Sequence, residues 1–211
     1  MKSTDFLQEQ QKKSTRPIHP RIFVFCEGET EKTYFDSLRI KYRQEIILVV
    51  KDEKQNKLIE YVESWILTEK LDFEKDSNDC VWCVLDVEKD KDYWNTKVIP
   101  KIQSFQDNKN KFIVFSNPCF ELWLLLYFKY TTKIYTPNEL YDELTKILGG
   151  KYKKGESIKQ YLHKLEDIQI AIDNSKKLIK EHKTQERDIL DFNSNPVTTI
   201  HLLIESIIKK E

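Results

Sequence analysis

Acidic residues recur in this sequence where an apolar stretch ends. Glu27 directly follows the apolar run IFVFC, and Glu31 lies four residues later. Asp86 closes a second apolar run, VWCVLD, and is followed by Glu88 and Asp90. Mg²⁺ prefers oxygen ligands and is usually held by a few carboxylates, together with water and substrate phosphate. The residue types and their spacing therefore indicate divalent-metal chemistry on a phosphate-containing substrate.

A further acid, Glu121, lies in the stretch PCFELWLLLYF, where apolar side chains surround it on nearly every face of a predicted helix. Such a helix is buried, and a buried carboxylate is costly unless it is paired or binds a metal. Neither Ser116 nor Asn117 lies at the capping-box spacing from Glu121. We therefore expect Glu121 to bind a second ion or to orient a ligand.

Simpler explanations compete at several of these positions. Glu29 and Glu31 fall at the start of a predicted helix, where a carboxylate gains up to about 1 kcal/mol from the helix dipole. Asp90 and Asp92 suit a solvated loop, although DVEKDKD is not a calcium loop because it lacks the glycine at the sixth position. Helix capping competes less strongly for Glu27, since this residue precedes the helix.

The elements that must position these acids alternate along the chain. Apolar runs predict strands at 21–26, 45–51, 80–86 and 111–116, and helical patterns predict helices at 29–43, 55–70 and 92–105. This alternation predicts an α/β fold with a mostly parallel, Rossmann-like sheet of four strands and helices on both faces. Functional groups in such sheets collect beyond the carboxyl ends of the strands. We therefore expect Glu27 and Asp86 to converge at one edge.

Three segments follow from the same patterns. The patterns predict a flexible tail at residues 1–20 and an α/β domain at residues 21–130. They predict a helical extension, packed on that domain, at residues 131–211. We expect no strand after Pro118, which would preset a helix start. The extension should contain a long charged helix from 157 to 183 and a last helix opened by Asn195 and Pro196.

Composition limits the classes of function. A chain of 211 residues with 39% hydrophobic side chains can bury a core. The formal net charge is zero with 33% charged residues, so any nucleic-acid contact must be local. No stretch approaches the roughly 20 apolar residues that span a bilayer, and we expect a cytoplasmic protein. Cysteines 26, 80, 83 and 119 should be reduced, buried thiols.

Three motifs in one order, CEGETEKTYF, VWCVLDVEKD and SNPCFELWLLLYF, resemble the RloB-like family, which is also grouped with AbiLii-type abortive-infection proteins. With a weaker match at NPVTTIHLLIESI, the resemblance spans most of residues 20–210. It implies a divergent TOPRIM domain, on whose acidic positions Glu27, Asp86 and Glu88 fall. Glu31 falls where the nuclease branch of TOPRIM places a second acid. The chain departs from the family's usual Asp-x-Asp, because Glu88 replaces the second aspartate.

The residues and the resemblance together predict a Mg²⁺- or Mn²⁺-dependent nuclease that hydrolyses phosphodiester bonds of RNA or DNA. Two ions roughly 3.5–4 Å apart can activate water and stabilise a leaving oxygen. The predicted metal ligands are Glu27, Glu31, Asp86, Glu88 and Asp90. The predicted catalytic residues are Glu27, Asp86, Glu88, Glu121 and Lys154. The resemblance also implies anti-phage defence beside an ATPase partner, and the oligomeric state stays open.

Basic residues would hold the substrate. Lys151, Lys153 and Lys154 form a glycine-flanked loop in which Lys154 is the best candidate to neutralise a phosphate and Tyr152 could stack on a base; a solvated surface is the competing explanation for this loop. A second lysine group on the predicted 157–183 helix is more simply a solvated surface: Lys176, Lys177, Lys180 and Lys183.

Two alternatives to a nuclease compete for the same acids. A receiver-like module would use Asp86 as phosphoacceptor but needs a fifth strand before the helices, which the pattern does not predict. A non-catalytic sensor or regulatory subunit on a TOPRIM scaffold would bind a nucleotide or metal without cleavage. Metal-dependent degradation of RNA or DNA separates this sensor from the enzyme.

Overall fold

The computed structural model describes residues 21–44, 46–50, 58–68, 79–87, 91–106, 110–155 and 158–208. The strands are β1 (Ile22–Cys26), β2 (Ile46–Val50), β3 (Cys80–Asp86), β4 (Lys111–Asn117) and β5 (Val197–Thr198). The α-helices are α1 (Glu29–Tyr42), α2 (Leu58–Thr68), α3 (Lys91–Tyr93), α4 (Ile99–Gln106), α5 (Glu121–Leu125), α6 (Pro137–Leu148), α7 (Ile158–Tyr161), α8 (Ile168–Thr184) and α9 (Ile200–Ile208). A π-helical turn, Trp94–Val98, joins α3 to α4, and a 3₁₀ turn, Leu162–Lys164, follows α7. The predicted tail at 1–20 lies outside the described residues.

The strands form one sheet in the order β2-β1-β3-β4-β5. The first four are parallel, with Ile22 opposite both Ile46 and Cys80, and Asp86 opposite Ser116. The alternation of strands and helices thus produces the mostly parallel α/β sheet that the sequence predicted. Its parallel register brings the ends of β1, β3 and β4 to the same edge.

The sheet has one strand more than the expected four, because β5 pairs antiparallel with β4. The expectation of no strand after Pro118 was wrong, and α9 begins at Ile200 rather than at Pro196. Two residues are too few to show a strand periodicity. Contacts with β4 define this strand instead: Ser116 Oγ lies 2.8 Å from Thr198 Oγ1. Pro118 likewise lies ahead of its helix, since α5 starts at Glu121.

The long charged helix expected at 157–183 is interrupted. It is divided into α7, the 3₁₀ turn and α8. Residues 165–167 separate the 3₁₀ turn from α8. Asp167 caps α8, since its side chain accepts a hydrogen bond of 2.9 Å from the amide of Gln169. An aspartate at this position satisfies an amide that would otherwise lack a partner, so it favours a new start here.

Two apolar clusters cover the two faces of the sheet. Val24 and its same-face neighbours pack with α1, α5, α6, α8 and α9, whereas Phe23 and Phe25 face α2 and α4. Successive residues of a strand point to opposite faces. Uninterrupted apolar strands are therefore buried on both sides, as the pattern predicted.

The cysteines behave as expected. All four are free and buried, and Cys80 and Cys83, three apart on β3, lie in different apolar clusters. Across the described ranges, no helix is long and apolar enough to cross a membrane.

Candidate functional site

Four acids lie at or near the carboxyl edge of the sheet. Glu27 directly follows β1 and Asp86 is the last residue of β3, which pairs with β1. Glu31 lies in the first turn of α1, and Glu121 is the first residue of α5. Four separate elements thus direct these acids to one region, because parallel strands end at the same edge and the following helices start there.

Asp86 is the best-anchored member of this group. Its Oδ1 accepts a hydrogen bond of 2.8 Å from the backbone amide of Phe120, and its Oδ2 lies 3.1 Å from Lys154 Nζ. The residue is 5% exposed. Asp86 is therefore fixed between the α5 entrance and the basic loop of the extension.

The charges around Asp86 show that the acids are close enough to interact. Burial is the main reason that the pKa of Asp86 lies well above its usual value, and the charge of Glu31 adds to it. Glu121 and Glu27 raise this pKa further, whereas Lys154 lowers it. Like charges within reach of one buried carboxylate disfavour its ionised form. The four acids therefore form one electrostatic cluster.

Glu31, not Glu29, belongs to this cluster. Glu31 is 2% exposed, whereas Glu29 is exposed and pairs with Lys32 at 3.3 Å. The carboxylate of Glu31 folds back over Gly28, so that a Cβ on that glycine would lie 2.6 Å from Glu31 Oε2. Gly28 itself is extended, with φ −133°, so the reason for glycine here is space rather than a sharp turn.

Glu121 is fully buried, as the sequence predicted. Its Oε1 accepts a hydrogen bond of 2.9 Å from the hydroxyl of Tyr152. Its Oε2 is also buried and accepts no hydrogen bond from the residues that the structure describes. One carboxylate oxygen is thus held in place, and the other is buried without a hydrogen bond from the described residues.

The loop at 150–155 closes the site from the side of the extension. The amide of Gly155 donates to Thr30 Oγ1 on α1 at 2.8 Å, and Lys154 and Tyr152 reach Asp86 and Glu121. Gly155 has φ +79°, a backbone conformation that favours glycine. A loop far along the chain therefore contacts α1, β3 and α5 together.

The sequence did not predict that Tyr152 contacts Glu121 or that Thr30 contacts the 150–155 loop. The predicted base-stacking role of Tyr152 is wrong, because its side chain is buried and only 4% exposed. Thr30 was not singled out, although it is fully buried and receives the Gly155 amide. The glycines of GGKYKKG signalled a tight loop but could not indicate which residues it contacts.

The other predicted residues are either outside the described part of the chain or on the surface. Glu88 and Asp90 lie outside the described residues. Lys151 and Lys153 are exposed beside Lys154. Two of the four α8 lysines make intramolecular contacts: Lys176 pairs with Glu205 at 2.7 Å, and Lys177 lies 3.9 Å from the centre of the Tyr130 ring.

The donor set fits a hard divalent cation. Within the described ranges, no three His, Cys, Asp or Glu side chains already surround one coordination point. The clustered side chains nevertheless offer carboxylate oxygens, which suit Mg²⁺ or Mn²⁺. The buried Oε2 of Glu121 supplies an oxygen whose desolvation a cation would offset. Among the described residues, Glu27, Glu31, Asp86 and Glu121 are therefore the candidate ligands for such an ion.

Fold and site together define an α/β protein with an acidic cluster at the carboxyl edge of a mostly parallel sheet. The family model of RloB-like proteins matches residues 22–207. Because this match covers most of the chain, the protein belongs to the RloB-like family, as the three motifs indicated. Comparison with curated proteins gave no match, and neither did comparison with solved structures.

Proposed function

We propose that this protein is a Mg²⁺- or Mn²⁺-dependent nuclease with a TOPRIM-like sheet, hydrolysing RNA or DNA in bacterial anti-phage defence. The observation that carries the proposal is the position of Asp86, whose pKa is raised first by burial and then by the charges of Glu31, Glu121 and Glu27. Gathering like charges at a buried edge costs stability, and such perturbed groups concentrate at functional sites. A divalent cation relieves the repulsion.

The acids of the cluster share one role in this proposal. Glu27, Glu31, Asp86 and Glu121 would hold the metal, with the predicted ligands Glu88 and Asp90 following directly in the chain. When bound, ions of this class activate water and stabilise charge on a leaving oxygen.

Lys154 would contact the substrate. Its side chain is 37% exposed and its Nζ lies 3.1 Å from Asp86 Oδ2, so the ammonium group is at the open side of the cluster. A lysine there can attract a phosphate and lower the repulsion between the substrate and the acids. The hydrogen bond from the backbone amide of Phe120 to Asp86 Oδ1 keeps the Asp86 carboxylate oriented.

The central test compares two neighbouring glutamates. Purified full-length protein is incubated with labelled RNA and DNA and with Mg²⁺, Mn²⁺ or EDTA, with and without an ATPase partner of the same defence system. Glu31→Gln should reduce metal-dependent cleavage on the order of 100-fold or more, because even indirect changes to a metal site cost about 10–100-fold. Glu29→Gln, the matched control on the same helical turn, should cleave like the wild type. Equal losses in both variants, or cleavage in EDTA, would contradict the proposal.

A second test uses the buried glutamate. Glu121→Gln removes one negative charge from the cluster while keeping the shape of the side chain. We expect cleavage to be lost, whereas the metal-free melting temperature should rise by about 2–4 °C for each kcal/mol of repulsion removed. Differential scanning calorimetry in EDTA measures this. A variant that cleaves normally and melts lower would show that Glu121 has a purely structural role.

The sensor alternative also has an observation in its favour. Lys154 already neutralises part of the charge on Asp86, so the cluster does not depend on a metal alone. If the protein binds a nucleotide but leaves both nucleic acids intact with its partner present, this alternative replaces the nuclease.

A further inference from the structure

We propose that Tyr152 is a positioning residue that orients the carboxylate of Glu121 for metal binding. This inference rests on the proposed function, because it assigns a task to the metal site. It concerns a residue of the extension, 31 positions away from Glu121 in the chain.

The geometry of the hydrogen bond supports this role. The Tyr152 hydroxyl donates to Glu121 Oε1 at 2.9 Å, and both side chains are buried. Holding Oε1 fixes the plane in which Oε2 lies. Groups that hydrogen-bond to a metal ligand set its orientation in this manner.

Tyr152 is itself held from several directions. Its backbone amide donates to Thr145 Oγ1 on α6 at 2.9 Å, and its ring packs against Tyr141 with centroids 5.9 Å apart. The loop is also tied to α1 through Gly155 and Thr30. The place of the hydroxyl is therefore imposed by surrounding elements and does not depend on Glu121 alone.

The second oxygen of Glu121 argues against a merely structural pair. A buried carboxylate retained for stability alone should have both oxygens satisfied. Oε2 of Glu121 accepts no hydrogen bond of normal geometry from the described residues, and the Cys119 thiol, which also interacts with this carboxylate, is only a weak donor. A metal ligand is expected to have one carboxylate oxygen fixed by the protein and the other free of protein hydrogen bonds, as Glu121 has among the described residues.

The test measures metal dependence rather than activity alone. Tyr152→Phe should raise the Mn²⁺ concentration needed for half-maximal cleavage by about 10-fold or more, while cleavage at saturating Mn²⁺ recovers toward the wild-type rate. Tyr141→Phe, which removes the hydroxyl of the packed neighbour, should leave the Mn²⁺ dependence unchanged. Direct Mn²⁺ binding by calorimetry should weaken by a similar factor in Tyr152→Phe only. In a Glu121→Gln background, Tyr152→Phe should add no further weakening.

Each outcome decides the matter. If the wild type cleaves with metal and Tyr152→Phe shows the same Mn²⁺ dependence and affinity, the positioning role is refuted while the nuclease stands. If the wild type binds Mn²⁺ without cleaving, the nuclease fails, and weaker binding by Tyr152→Phe still supports the positioning role. If the wild type neither binds Mn²⁺ nor cleaves, both proposals fail.

Discussion

Gly28 lies between two acids of the cluster, and its importance is steric. Its backbone is extended, a conformation open to any residue, yet an added Cβ would lie 2.6 Å from Glu31 Oε2. The atom in conflict is the end of a side chain that can rotate, so the fold can absorb an extra methyl group. With that extra methyl group in place, however, the Glu31 carboxylate must move from its present position.

Gly28→Ala should therefore separate activity from stability. We expect the melting temperature to change by less than about 4 °C, since roughly 1 kcal/mol corresponds to 2–4 °C in a chain of this size. Metal-dependent cleavage should fall on the order of 100-fold, because a displacement near 1 Å at a catalytic group has that effect. Calorimetry and a cleavage assay on the same preparation measure both quantities. A variant that cleaves normally would show that the position of the Glu31 carboxylate does not matter.

At the scale of elements, a polar link ties the last two helices to the edge of the sheet. Ser175 on α8 donates its hydroxyl to the carbonyl oxygen of Thr198 on β5 at 2.7 Å. The Oγ of Ser175 also lies 2.8 Å from Nδ1 of His201 on α9. Since the hydroxyl hydrogen is already used, Nδ1 of His201 is the donor to Ser175. A buried Ser–His contact here joins three elements and lies apart from the acidic cluster.

His201 should make stability depend on pH in a defined window. The pKa of His201 is lowered from 6.5 to about 4, mainly by burial; the charge of Glu205 opposes this shift and that of Lys176 contributes to it. As the pH falls, His201 binds a proton in the unfolded chain before it does so in the folded protein. The contribution of neutral His201 to the free energy of unfolding is therefore complete above pH 6.5 and is lost as the pH falls toward 4. The difference between the two pKa values corresponds to up to about 3 kcal/mol.

Urea unfolding at several pH values checks this expectation. His201→Asn keeps an N–H donor at the position of Nδ1 for Ser175 but does not titrate, so its unfolding free energy should fall less steeply between pH 6.5 and 4. The carboxylates titrate in both proteins and cancel in the comparison. Parallel curves for wild type and variant would contradict the assignment to His201.

At the scale of the whole molecule, one apolar cluster joins the sheet to the extension. It contains Val24 and Val114 of the strands together with Leu144 of α6, Leu178 of α8 and Leu203 of α9. All five are almost completely buried. The α/β part and the extension therefore share a core, and neither buries its apolar surface without the other.

We expect the chain to unfold in one cooperative transition for this reason. The four tryptophans lie between positions 65 and 123, so their fluorescence reports mainly on the α/β part, although Trp94 also contacts Leu190 of the extension. Circular dichroism at 222 nm also reports on the helices of the extension. The two denaturation curves should coincide. A circular dichroism transition that precedes the fluorescence change would show that the extension folds separately.

The sequence alone predicted the features that depend on neighbours in the chain. The strands at β1, β3 and β4 followed from apolar runs, and the burial of Glu121 followed from the side chains beside it. The acids at strand ends were placed at one edge because parallel strands share their direction. These predictions needed only local periodicity and the rule for parallel sheets.

Other features were decided only by the tertiary structure. β5 exists because Val197 and Thr198 lie beside β4, and two residues carry no period of their own. Tyr152 was expected at a solvent-facing surface, yet its hydroxyl contacts Glu121, 31 positions earlier. Loop glycines and lysines permit many paths, and only packing against α1, β3 and α5 selects one. Local sequence therefore identified the acids that lie at this edge, whereas long-range contacts decided what holds them in place.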